Sequence, residues 1–288
     1  MSRFGKILAL AAALALLAGC AKPAAEDDQT LHVLATTYPV YLFTTAVVGD
    51  TDDIEVDLLV NAQTSCLHDY TLSVKDMKAV DRADVIIMNG LGLEDFMADA
   101  LTQSSAVVID ASARFSSFYD IAEGEEADPH IWMFPDGALF MLESISQGLT
   151  ALLPEQETAF RENYDAAFDA LGNIITLPPG LEWITFHDGF SYFSGYWKMD
   201  LLKAIEEEEG ATASAAEIKE IVALIEEHRI PAIFVEKNGS RKTADVIARE
   251  TGCQVCTLDM LMSGEGTGIQ PYVDAMNQNI STVWEALK

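Results

Sequence analysis

The sequence predicts an α/β protein of two lobes, each a parallel sheet flanked by helices. Three observations predict it. Short apolar runs such as DVIIMNG and AIFVE lack the in-out alternation of a half-exposed strand, so they read as strands buried on both faces. Between them lie stretches with the 3.6-residue period of helices, the order that builds parallel sheets with helical crossovers. The alternation is interrupted once, by a long helical stretch ending at Pro178, Pro179 and Gly180, and then resumes. In such sheets ligands bind beyond the carboxyl ends of the strands, so side chains placed where strands run out carry the most weight.

The 288 residues are long enough for two cores, and half of them are hydrophobic. A formal charge of −29 excludes nucleic acid as a partner and keeps the protein soluble. The first residues read as an export signal: Arg3 and Lys6, an apolar run from Ile7 to Leu17 too short to span a bilayer, then Ala18, Gly19 and Cys20. LAGC resembles the bacterial lipobox, which implies lipidation of Cys20; cleavage near Ala18 to a plain secreted protein is the alternative. Residues 1–19 are thus a signal peptide. Residues 20–29 carry the anchor and a small, charged tether.

The first lobe, residues 30–153, opens with the strand LHVLAT and a helix from Tyr38 to Val48. The strand IEVDLLV follows, then a loop holding Cys66, His68 and Asp69, and a helix in SVKDMKAVDRA. The strand DVIIMNG, a helix near Glu94–Thr102 and the strand AVVID complete the sheet. An irregular acidic segment then leads to Asp128, Pro129 and His130. Proline restrains both its own φ and the preceding residue, so His130 leaves a stiff turn, and Asp128 is placed to accept from the imidazole's other N–H. Helices are expected over Asp136–Leu153 and Glu155–Leu177. In the latter, Phe160, Tyr164, Phe168, Leu171 and Ile175 form one apolar face, and residues 154–177 are expected to connect the lobes.

The second lobe, residues 178–288, repeats the pattern. EWITF runs directly into His187, Asp188 and Gly189, a third histidine where a strand ends. MDLLKAI, a helix from Ser214 to Arg229 opened by a capping box with Glu217, the strand AIFVE ending at Glu236, a helix over Arg241–Thr251 and QVCTL follow. Asp259 leaves the last strand. A closing helix from Pro271 carries Tyr272, Met276, Ile280, Val283 and Leu287 on one side. His32 in a strand and His228 near a helix end read as structural or solvated. Beyond Cys20, the odd set Cys66, Cys253 and Cys256 leaves one thiol over; Cys253 and Cys256 read as a local disulfide or as two buried thiols, with no second pair to form a zinc ribbon.

Three imidazoles and one carboxylate, each leaving a strand or a stiff turn, are the donor set of a tetrahedral zinc site; manganese prefers more oxygen. A zinc hydrolase would also use such ligands, but no HExxH helix pairs them with a base.

The chain resembles the cluster of metal-binding lipoproteins that serve zinc and manganese ABC importers. The resemblance rests on ATTYP, HDY before a DMK helix, NGLGLE, DPHIW, TFHDGF, IFVE and TGCQVCTLDML, in that order along nearly all the mature chain. It implies a non-enzymatic carrier holding Zn2+, with Mn2+ the less favoured cargo, between two lobes. The implied ligands are His68, His130, His187 and Asp259, with Cys66 or Glu236 as possible additions and Asp128, Asp69 and Asp188 orienting them. It further implies a monomer anchored by lipid to the outer face of the cytoplasmic membrane or in the periplasm, delivering metal to a permease and its ATPase. Three departures stand out: no histidine-rich loop precedes His130, Cys66 replaces a common proline or glycine, and Met260 follows Asp259 where proline is usual.

Overall fold

Two four-stranded parallel sheets organise the computed structural model, which describes residues 30–61, 67, 70–118, 127–206 and 213–288. The leader with Cys20 and the positions Cys66, His68 and Asp69 lie outside the described residues. In the first lobe the elements run β1 (Leu31–Ala35), α1 (Tyr38–Val48), β2 (Ile54–Leu58), α2 (Val74–Arg82), β3 (Val85–Met88), α3 (Ala98–Gln103), β4 (Val107–Asp110) and α4 (Phe115–Phe118). Two longer helices follow, α5 (Pro135–Leu152) and α6 (Glu157–Leu171). The second lobe comprises β5 (Glu182–His187), α7 (Ser191–Trp197), β6 (Asp200–Glu206), α8 (Ala215–His228), β7 (Ala232–Glu236), α9 (Lys242–Thr251), β8 (Gln254–Leu258) and α10 (Gln270–Leu287).

The strand orders are β2-β1-β3-β4 and β6-β5-β7-β8, so both sheets reverse direction at the same place. These switch points, between β1 and β3 and between β5 and β7, are where a doubly wound sheet opens a crevice. Both capping boxes form: Ser73 and Asp76 start α2, and Ser214 and Glu217 start α8.

The second sheet sorts its side chains by parity. Trp183 on β5, Phe234 on β7 and Leu258 on β8 join the core that also fills the first lobe, while Ile184, Phe186, Ile233 and Val235 enter a separate core under α8 and α9. The period of two in a strand therefore turns His187 and Glu236, each last in its strand, toward the first lobe. It also separates the cysteines: Cys253 packs in the α8/α9 core and Cys256 against the other, and both are free thiols. The local disulfide is excluded because the two side chains sit on opposite faces of one sheet.

The connecting helix is shorter than its apolar spacing predicts. It stops at Leu171, Phe168 and Ile175 are about half exposed, and its buried residues are Phe160, Ala167 and Leu171. Asn277 of α10 explains the stop: its side chain accepts from the Ile175 amide at 2.8 Å and donates to the Asn173 carbonyl at 3.2 Å, taking the backbone groups that further helix would use. α6 packs against α1 and α5 and touches α10.

The segment after β8 returns over the first lobe. Tyr38 donates to the Glu265 carbonyl (2.6 Å), Asn61 exchanges two bonds with Gly264 (both 3.2 Å), and the Gly268 amide donates to Thr45 (2.8 Å). Only glycine fits at 264, because a Cβ there would come within 2.4 Å of the Tyr38 ring. Trp132 donates to the Met260 carbonyl (2.9 Å) and Tyr272 to the Trp132 carbonyl (2.8 Å), both inside the core.

Candidate metal centre

His130 and His187 meet between the lobes with their Nε2 atoms 3.1 Å apart, and both side chains are buried. Each ring is fixed from behind by a carboxylate. Asp128 Oδ1 lies 2.7 Å from His130 Nδ1 and also accepts the His130 amide at 2.9 Å, an Asx-type turn around Pro129. Glu236 Oε1 lies 3.3 Å from His187 Nδ1, as expected two residues beyond the Thr185–Phe234 register of β5 and β7. A carboxylate at Nδ1 makes that nitrogen the donor and leaves Nε2 as the coordinating atom, the arrangement that raises imidazole basicity at metals.

The spacing of the pair fits a metal as well. Two nitrogens bound to tetrahedral zinc at ~2.05 Å stand about 3.3 Å apart, so the rings are already close to ligand spacing. Gly189 makes this approach possible. A Cβ there would stand 2.7 Å from His187 Cδ2, 3.0 Å from His130 Cδ2 and 2.5 Å from Met260 Cε. Asp128 Oδ2 is buried with no hydrogen-bond partner among the described residues.

The pair opens on a cavity of about 680 Å³ whose walls include Asp95, Asp128, Asp188 and Tyr192. Three carboxylates around one mouth give it a field that attracts cations. Tyr192 ties the lobes here, donating to the Asp128 carbonyl at 3.1 Å while stacking on Phe134. His130 is also held from the first lobe's switch point. Asn89, following β3, donates to the Pro129 carbonyl at 3.0 Å. Glu94 braces Asn89: buried, it accepts from the Asn89 amide (2.7 Å), the Gly90 amide (3.1 Å) and Thr36 (2.6 Å). Burial pushes its carboxyl up to about 6, the three hydrogen bonds offsetting part of that cost.

Asp259 does not join the pair. Its Oδ2 accepts from Lys237 Nζ at 2.8 Å and its Oδ1 from the Leu261 amide at 2.8 Å. Among the described residues no group of three His, Cys, Asp or Glu side chains is placed to hold a metal. Asp259, the fourth ligand implied by the resemblance, thus pairs with a lysine and caps its own turn. Glu236 faces His187 Nδ1 from behind the ring. Asp188 is exposed on the cavity wall and takes a 3.4 Å contact from Ser191. His32 and His228 pair with Glu55 (3.3 Å) and Glu182 (3.0 Å), away from the cavity, as the sequence predicts for structural histidines. Asn89, Glu94, Gly189 and Met260 were not predicted as parts of the site; only NGLGLE and the glycine after His187–Asp188 hinted at them.

A sequence model of the family described as "ZnuA: Zinc-uptake complex component A periplasmic" matches residues 33–286. The chain is 26% identical to the high-affinity zinc uptake system protein ZnuA of Bacillus subtilis, with 99% of this chain and 98% of that protein covered. It is also 26% identical to the zinc-binding lipoprotein AdcA of Streptococcus pneumoniae over 98% of this chain, and it spans only 60% of that longer relative. Among solved structures, the Zn(II)-bound ZnuA-like domain of the S. pneumoniae AdcA superposes with a TM-score of 0.74 at 25% identity, covering 90% of this chain and 99% of that one. The periplasmic zinc-binding protein TroA of Treponema pallidum shares the fold, with a TM-score of 0.78 at 23% identity over the same shares of the two chains.

Proposed function

We propose, since this chain belongs to the ZnuA family of periplasmic zinc-uptake components, that it captures Zn2+ outside the cytoplasm and delivers it to the permease of an ABC importer. The observation that carries the reading is the facing pair of Nε2 atoms, one from each lobe, each backed by its own carboxylate. His68 is the third ligand in this reading. Its neighbours are held: Leu67 is buried, and the Tyr70 amide donates to the Leu67 carbonyl at 2.9 Å. Asp259 is the fourth, with Cys66 and Glu236 as possible additions, giving the three imidazoles and one carboxylate of a tetrahedral zinc site.

The chain's residues act by binding and orientation. Asp128 and Glu236 aim the rings, Glu94 and Asn89 hold the turn that presents His130, and the acidic mouth concentrates cations. This is a carrier's site. Residues 1–19 serve as the export signal, lipidated Cys20 as the anchor, residues 21–29 as the tether and α6 as the connection between lobes of a monomer.

Metal analysis of protein purified without chelator tests the reading. About one zinc per chain is expected, lost in His130→Ala and His187→Ala and weakened in His68→Ala, and binding should release protons because the rings must be neutral to coordinate. Zinc retained at full stoichiometry after both His130 and His187 are removed would overturn it.

A further inference from the structure

Both oxygens of Asp259 are engaged, and its two partners differ in how firmly they are held. The Leu261 amide, which donates to Oδ1 at 2.8 Å, belongs to a fixed backbone. The buried Asn279 accepts from the Asp259 amide (2.8 Å) and donates to its carbonyl (2.7 Å), and Trp132 donates to the Met260 carbonyl (2.9 Å). Leu261 itself stands at φ +59°, a left-handed conformation that a bulky side chain seldom adopts. Lys237 Nζ, which donates to Oδ2 at 2.8 Å, ends a flexible side chain that is 56% exposed. Its ammonium can return to water at little cost, since exposed ion pairs are weak.

The ion pair joins the ends of β7 and β8, where the Lys237 amide also donates to the Leu258 carbonyl at 2.8 Å. Both members are one residue from groups that touch the imidazoles. Lys237 follows Glu236, which faces His187 Nδ1, and Asp259 precedes Met260, whose Cε meets both ring Cδ2 atoms over Gly189. Burial and then the charge of Asp259 push the phenol of Tyr38 up, so this carboxylate lies close to the first lobe as well.

Resting on the zinc-carrier reading with Asp259 as a ligand, we infer that Lys237 is a positioning residue that competes with zinc for the Asp259 carboxylate. The ion pair opens for Asp259 to coordinate and takes the carboxylate back when zinc leaves. One carboxylate cannot hold both comfortably, because an ammonium and a divalent cation on it would repel each other at close range. Lys237 therefore lowers zinc affinity by the strength of the pair and eases release.

The test measures zinc affinity of the full mature chain, by competition against a chromophoric chelator, in wild type, Lys237→Met, Lys237→Arg, Asp259→Asn and the Lys237→Met, Asp259→Asn double variant. Lys237→Met should tighten zinc by about two- to fivefold, the strength of a half-exposed ion pair, and Lys237→Arg should stay near wild type. Asp259→Asn should weaken zinc, and in that background Lys237→Met should change nothing, since no carboxylate is left to contest. A second readout needs no variant. Acylation of lysines, followed by peptide mass spectrometry with and without zinc, should rise at Lys237 on loading and stay constant at Lys203, which pairs with Glu220.

Weaker or unchanged zinc binding in Lys237→Met, the same tightening in the Asp259→Asn background, or Lys237 acylation that ignores zinc overturns the inference and leaves zinc carriage standing. Full affinity in Asp259→Asn also overturns it, by removing Asp259 from the ligands. Absence of zinc binding in wild type fails the carrier reading itself, a separate result.

Discussion

Replacing Gly189 with alanine should spoil the centre while adding a single methyl. That methyl would stand 2.7 Å from His187 Cδ2 and 3.0 Å from His130 Cδ2, where non-bonded carbons prefer about 3.5–4 Å. The Met260 methyl, 2.5 Å away, ends a flexible side chain and can swing aside. The rings cannot do so freely, because Glu236 and Asp128 hold their Nδ1 atoms. Each ring must give by roughly half an ångström or more, which disturbs the Nε2 spacing, and lost orientation at a metal ligand typically weakens binding about 10–100-fold. Overpacking should also cost about 1–3 kcal/mol of stability in the metal-free protein. Gly195→Ala is the control, since a Cβ there meets nothing within 4 Å. Competition against a chromophoric zinc chelator, with parallel thermal melts, measures both effects. Zinc affinity in Gly189→Ala equal to that of Gly195→Ala would refute the reasoning.

Asp128→Asn and Glu236→Gln should each weaken zinc about 10–100-fold in the same competition assay, because each amide can present its N–H side to the imidazole and favour the wrong tautomer; full affinity in both would show that the carboxylates do not aim the rings. Glu94 gives a signed pH dependence. With its folded-state pKa raised from 4.5 to about 6, its contribution to stability is fully present below about pH 4.5 and is lost as pH rises through about 6. That loss is about 2 kcal/mol. Glu94→Gln has no such titration, so in urea unfolding the stability gap between wild type and variant should move by about 2 kcal/mol in the variant's favour between about pH 4 and pH 8. A gap that stays constant over that range would count against a buried, destabilised carboxylate.

The features that local backbone chemistry determines were readable in the sequence. The strands, the two capping boxes, the stiff turn that presents His130 and the emergence of His187 at a strand's end all follow from spacing and residue type. The contact of Asp128 with the His130 ring was readable for the same reason, since the two lie two residues apart. The bonds of Asp259 to Lys237 and the Leu261 amide were not. They follow from a backbone that Asn279, twenty residues on, and Trp132 in the other lobe hold in place. Glu236 could be named but not placed, because its position behind His187 depends on the register of two strands far apart in the chain. The connecting helix was overestimated because its apolar spacing continues past the point where Asn277 captures the backbone.

The core that runs from the first sheet through Trp132, Tyr272 and Trp183 has a consequence for release. A molecule welded through its middle cannot swing ajar like a hinged clam shell, since gaping would wet those aromatic rings and strand the carbonyls they cap. In the carrier reading, release would then leave this shared core intact.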